Sequence, residues 1–190
     1  MNRTPARWLT GITLAVLCGV SLPTSAQKIK LATSMGEVMI ELDPIKAPKS
    51  SANFMQYVKD GHYNGTIFHR VIDNFMIQGG GMLPDLSQKP TRGPIPLESR
   101  NGLDNVRGSV AMARTGDPNS ATAQFFINLK DNDFLNASRS QDGNGYTVFG
   151  KVSAGMDVVD KIRAVATGNK GPYQNVPVEP IIIKSATLEK

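Results

Sequence analysis

The sequence predicts a mainly β fold: about eight short strands in a sheet that closes on itself, with two amphipathic helices covering the open ends. Three features carry that reading. Short stretches in which apolar and polar residues alternate recur through residues 28–190. Turn-forming residues separate them at close spacing, with 18 glycines and 12 prolines in 190 residues. Only two stretches shift to a helical period. Closure removes exposed strand edges, although composition alone does not separate a barrel from a sandwich.

Taken in order, KIKLAT and EVMIEL alternate around a Met35-Gly36 turn and form a hairpin, strands at about 28–33 and 37–42. DPIKAPKSSANFMQYVKDG then changes period. Phe54, Tyr57 and Val58 fall at i, i+3 and i+4, Pro48 suits a first helical turn and Gly61 a stop, so a helix spans about 48–60. IFHRVIDNFMIQGGG (67–81) gives two apolar segments, Ile67 to Ile72 and Phe75 to Gln78, running into three glycines. A turn-rich piece covers 81–105. GSVAMAR and AQFFINL are two further strands, DNDFLNASRSQDGNG is a loop and YTVFGKV another strand. Met156, Val159 and Ile162 mark a second helix at about 155–164. VEPIIIKSATLEK is the closing strand. No repeat or linker interrupts residues 27–190, which form one domain.

The first 26 residues differ. Arg3 and Arg7 precede an uncharged apolar block at residues 8–20, and Thr24-Ser25-Ala26 supplies small residues for cleavage. This is the three-part pattern of a secretory signal peptide. The block falls short of the roughly 20 residues that span a bilayer, so no stable membrane anchor is expected. Cleavage after Ala26 leaves 164 residues (190 minus 26) and a net charge of +3, two less than the +5 of the whole chain. That charge is too mild to argue for nucleic acid. Cys18, the single cysteine, leaves with the leader, which removes disulfides and thiol chemistry from the mature domain. An exported protein is expected, periplasmic where the cell has two membranes.

The common catalytic sets are missing. There is no G-x-S-x-G elbow. DGNGYTVFG lacks the Gly-Lys-Ser/Thr of a P-loop. His62 and His69 are too few for most histidine metal sites, so neither metal nor cofactor is expected. Asn64-Gly65-Thr66 and Asn136-Ala137-Ser138 match a glycosylation sequon that is common by chance. What stands out is Arg70, a permanent charge inside an apolar strand, with Gln78 downstream and a second aromatic cluster at Phe125 and Phe126. Residue by residue, the arginine reads as readily as a surface side chain lying along a sheet, and the aromatics as core.

FHRVIDNFMIQGG, GSVAMAR, AQFFINL and TVFGKV, in this order and spacing, resemble the cyclophilin family over residues 28–190. The resemblance implies a peptidyl-prolyl cis-trans isomerase with an eight-stranded antiparallel barrel, capped by two helices, and a groove on its outer wall. Carried over motif by motif, it implies Arg70 as the catalytic residue. Phe75, Met76, Phe126 and Leu135 form the proline pocket and Gln78 binds substrate backbone. Ala113, Arg114, Gln124 and Tyr146 complete the lining. Substrates would be proline-containing segments of unfolded or partly folded exported proteins, bound by a monomer. Three positions depart from the best-known eukaryotic pattern: Phe134 replaces a tryptophan, Tyr146 a histidine and Arg114 an asparagine. The first two resemble the periplasmic bacterial branch and imply weak cyclosporin binding. Two alternatives remain at this point, a module that holds proline segments without turning them and a barrel carrying a small ligand inside.

Overall fold

The computed structural model describes residues 27–189; the expected signal peptide, residues 1–26, lies outside the described residues. The first hairpin is β1 (Lys28–Thr33) and β2 (Gly36–Leu42), followed by α1 (Pro48–Lys59). The quoted apolar pair becomes β3 (Phe68–Ile72) and β4 (Met76–Gly79). Then come β5 (Ser109–Met112), β6 (Phe125–Asn128), a single 3-10 turn at Asp133–Leu135, β7 (Val148–Ala154) and α2 (Met156–Arg163). The chain ends with β8 (Thr167–Lys170), β9 (Tyr173–Pro177) and β10 (Ile183–Glu189).

Eight strands form one antiparallel sheet in the order β10-β1-β2-β7-β5-β6-β4-β3, and β8 and β9 form a separate hairpin. The curled sheet is closed less fully than expected. β3 and β10, at its two ends, share no ladder. They meet through a short seam: Ile183 N–H donates to Thr66 O at 2.8 Å, Phe68 N–H to Ile181 O at 3.0 Å, and Ile67 bridges Ile182. β3 has five residues and is bulged between Phe68 and Arg70. The antiparallel seam sets residues 66–68 opposite 181–183, so β3 runs away from β10 beyond it and continues beside β9. The result is a half-barrel joined at one end. The β8–β9 hairpin, absent from the sequence reading, packs beside β3.

Strand alternation sends one set of side chains inward. Ile29, Leu31, Val38, Ile40, Val71, Ile77, Val110, Phe125, Ile127 and Phe149 are fully or nearly fully buried in one core. α1 adds Phe54, Tyr57 and Val58; α2 adds Val158, Val159 and Ile162. Phe125 meets Phe54 and Tyr63 edge-on, with ring centroids at 5.3 and 5.6 Å, and Tyr63 satisfies its buried hydroxyl by donating to Ala123 O at 2.9 Å. Side chains therefore fill the interior, which removes the reading of an internal ligand carrier.

Helix α1 begins without a local cap, since Ala47 offers no side-chain acceptor. A remote carboxylate takes the part. Glu98 accepts Lys49 N–H at 3.0 Å and Ser50 N–H at 2.8 Å, and Ser50 Oγ donates to it at 2.8 Å. These are free donors of the first helical turn, where negative charge is favoured.

Candidate active site

The site is built on the other face of the same strands. Antiparallel register sets Arg70 opposite Gln78, Gln78 opposite Phe126, Phe126 opposite Ala111, and Ala111 opposite Val148. Directly paired residues share a face. One transverse row across β3, β4, β6, β5 and β7 thus turns outward while Phe125 and Ile127 turn in. The run Phe125-Phe126-Ile127 reads as continuously apolar because both faces of β6 are covered. Met76, Ala111, Phe126, Leu135 and Val148 form a second apolar cluster on this outer face, flanked by Phe75, Ala113 and Tyr146.

A cavity of about 120 Å³ opens there, lined by Arg70, Phe75, Met76, Gln78, Ala113, Arg114, Phe126, Leu135 and Tyr146. Nine of the ten positions carried over from the family resemblance meet at it. Gln124 is the tenth and lies just outside this lining: its Oε1 accepts from Gln78 Nε2 at 2.9 Å. The glycines of β4 and its exit allow this. A Cβ at Gly81 would come within 2.6 Å of Gln124 Nε2, and Gly80, at φ +85°, lies against Tyr63 and Phe125.

Arg70 is half-buried at the rim. Its Nη1 donates to Gln78 Oε1 at 3.4 Å and approaches Met76 Sδ at 4.0 Å, and the guanidinium carbon lies 5.9 Å from the centre of the Phe75 ring. Among the described residues, Nε and Nη2 make no hydrogen bond, which leaves fixed donors on an apolar floor. Burial lowers the Arg70 pKa from its ordinary value, while Tyr146 acts to raise it; the group stays protonated at any physiological pH. Gln78 is held at both ends of its amide, by Arg70 and by Gln124.

His69, next to the arginine, is buried and its Nδ1 has no partner among the described residues. Burial, with the charge of Arg70 second, pushes its pKa down to about 4. A neutral imidazole at physiological pH adds no second charge beside Arg70, in keeping with a structural histidine.

Beneath the pocket runs a buried amide network that sequence reasoning missed. Asn132 Nδ2 donates to Phe75 O at 2.9 Å and to Asn128 Oδ1 at 2.7 Å, and Asn128 Nδ2 donates to Ser109 Oγ at 2.8 Å. It fixes the backbone that carries Phe75. Asn136, one of the sequon asparagines, is tied into the same network by accepting Asn105 N–H at 2.8 Å. Phe134, exposed, stacks on Phe75 with centroids 5.6 Å apart.

Comparison with known proteins agrees with this geometry. The family described as cyclophilin type peptidyl-prolyl cis-trans isomerase/CLD matches residues 28–188. A Streptomyces antibioticus protein named peptidyl-prolyl cis-trans isomerase cyp18 is 56% identical over 161 residues, 84% of this chain and 97% of the relative. The Dickeya dadantii peptidyl-prolyl cis-trans isomerase A is 50% identical over 189 residues, covering 100% of this chain and 98% of that one. A Cryptosporidium parvum cyclophilin-type isomerase structure superposes with a TM-score of 0.75 at 28% identity, covering 87% of this chain and 98% of that one. The chain belongs to the cyclophilin-type peptidyl-prolyl cis-trans isomerases, enzymes that act on proline-containing peptides.

Proposed function

We propose that Arg70 is the catalytic residue and that the chain turns X-Pro bonds in unfolded or partly folded exported proteins outside the cytoplasm. The observation that carries the catalytic assignment is the outward row of Arg70, Gln78 and Phe126 beside the apolar cavity. A peptide bond resists rotation by about 18–20 kcal/mol because its nitrogen lone pair is delocalised. No bond is made or broken in the rotation, so positioning and electrostatics suffice. In the twisted transition state the prolyl nitrogen regains its lone pair and accepts a hydrogen bond better than in either planar form. A fixed, permanently charged donor at that nitrogen favours the twisted form.

Uncatalysed exchange takes about 10–100 s, and reaching milliseconds is roughly a 10⁴-fold gain, or about 5.5 kcal/mol. One charged hydrogen bond contributes about 1.5–3 kcal/mol. The remainder falls to the pocket. Phe75, Met76, Phe126, Leu135 and Tyr146 grip the pyrrolidine ring and exclude water, while Gln78, braced by Gln124, holds the flanking amide so that one side turns against the other. A Cryptosporidium parvum relative was crystallised in the presence of the dipeptide Ala-Pro, and the proline ring of such a ligand is the part this cavity would take.

A protease-coupled prolyl-peptide assay on residues 27–190 tests the assignment. Arg70→Ala is expected to lower kcat/KM by about 10²-fold or more, on the order of 3 kcal/mol, with the fold retained; near-normal activity would refute it. Export rests on the leader pattern of residues 1–26. Full-length chain expressed in a two-membrane bacterium is expected in the osmotic-shock fraction with Gln27 as its first residue. Recovery in the cytoplasm with Met1 intact would refute it.

A further inference from the structure

Arg114 lines the proline cavity, yet its guanidinium nitrogens are engaged by backbone carbonyls and Asp142. The side chain is only 4% exposed. Nε donates to Gly145 O at 2.9 Å, Nη1 to Thr115 O at 2.9 Å, and Nη2 to the Asp142 carboxylate. Its flat face lies 4.5 Å from the centre of the Tyr146 ring. Every nitrogen of the fork is engaged, so the charge is neutralised by the loop before a substrate arrives. Asp142 in turn accepts the N–H of Asn144 at 3.0 Å and of Gly145 at 3.2 Å.

All of these bonds except the one to Thr115 O converge on one loop. Residues 136–145 leave Leu135 and return to it, where Tyr146 N–H donates to Leu135 O at 2.9 Å. Gly145, at φ +65°, packs so closely on this return that a Cβ would lie 2.6 Å from Leu135 O. Tyr146 then stands edge-on to Phe126, centroids 5.7 Å apart. On the far side of Tyr146 and Leu135 lies a second, larger groove of about 920 Å³, lined also by Arg114, Phe134, Ser140 and Asp142. Arg114, Leu135 and Tyr146 line both spaces and form the wall between them.

We propose that Arg114 and Asp142 form a clasp that holds Tyr146 upright as this shared wall, making the pair positioning residues for proline capture rather than groups that touch the reacting amide. The inference rests on the proline-pocket reading above. A planar fork is required, because it must reach two carbonyls and a carboxylate while lying flat on a ring. Tyr146 would otherwise be free to rotate about χ1 into the larger groove, widening the pocket without moving Arg70.

Prolyl-peptide kinetics of residues 27–190 carrying Arg114→Ala, Asp142→Ala, the double substitution and Arg114→Lys test it, with Arg70→Ala as reference. Each clasp variant is expected to raise KM about three- to tenfold and to change kcat less than about twofold. The double variant should be no worse than either single, since both remove one device, and Arg114→Lys should not rescue. Asp142 is exposed, so its variant keeps the test valid should Arg114→Ala fold poorly. Unchanged KM in Asp142→Ala, additive effects in the double, full rescue by lysine, or losses in kcat alone would each overturn the clasp. Failure of the underlying reading looks different: wild-type protein without isomerase activity, or an Arg70→Ala variant as active as wild type.

Discussion

His69 makes the fold sensitive to acid, and the size of the effect follows from its burial. Its pKa falls from the ordinary 6.5 to about 4 in the folded state. The unfolded chain therefore takes up the proton first as pH drops. Stability is fully present above about pH 6.5 and is lost as pH falls through the window down to the folded pKa near 4. A shift of about 2.5 units at roughly 1.36 kcal/mol per unit is on the order of 3 kcal/mol. Desolvation is the larger cause and the charge of Arg70 the second, so the effect belongs to this buried place in β3. The assay is urea unfolding of residues 27–190 at pH 7.5 and 4.5, compared with His69→Gln, which cannot ionise. Wild type should lose about 2–3 kcal/mol more than the variant between the two pH values. His62, also lowered chiefly by burial, acts in the same direction and remains in both proteins. Equal losses in the two proteins would refute the reasoning.

Three further outcomes are expected. Glu98→Ala removes the remote cap of α1; a loss of about 2 kcal/mol, or a fall in Tm of roughly 4–8 °C, is expected by calorimetry, and an unchanged Tm would contradict the capping role. Phe126→Ala takes a ring that is 4% exposed out of the pocket floor; stability should fall by about 3 kcal/mol and KM should rise, read by unfolding and peptide kinetics on the same sample. Gly81→Ala places a methyl against Gln124, so the Gln78–Gln124 link should break and kcat/KM fall about three- to tenfold, whereas wild-type kinetics would show that the brace is dispensable.

Local pattern made much of this fold legible. β1 and β2 alternate with period 2 and α1 carries Phe54, Tyr57 and Val58 on one face, so these elements end within a residue or so of where the sequence puts them. The β8–β9 hairpin was not legible. TGNK and YQNVP bury little beyond Val176 and Pro177 and carry no alternating apolar set. The incomplete closure was hidden for a different reason: whether β3 meets β10 depends on the register of a seam between residues over a hundred positions apart. In the site, motif order placed the cavity residues but could not show orientation. Gln124 joins the site only through its bond to Gln78. Arg114 and Asp142 carry no joint signal in sequence, being separated by 28 positions and joined only by how the loop folds back. Glu98 is likewise an ordinary loop acid until the fold brings it to the start of α1.

The central claim is that Arg70 acts on the twisted amide and not on the planar peptide. NMR exchange spectroscopy of a prolyl peptide with residues 27–190, run beside a titration of the same peptide, separates the two. With wild type, cis and trans signals should exchange within milliseconds. With Arg70→Ala, exchange should slow about 10²-fold or more while peptide affinity stays within about threefold. Exchange that persists in the variant, or affinity that falls in step with it, would contradict the account.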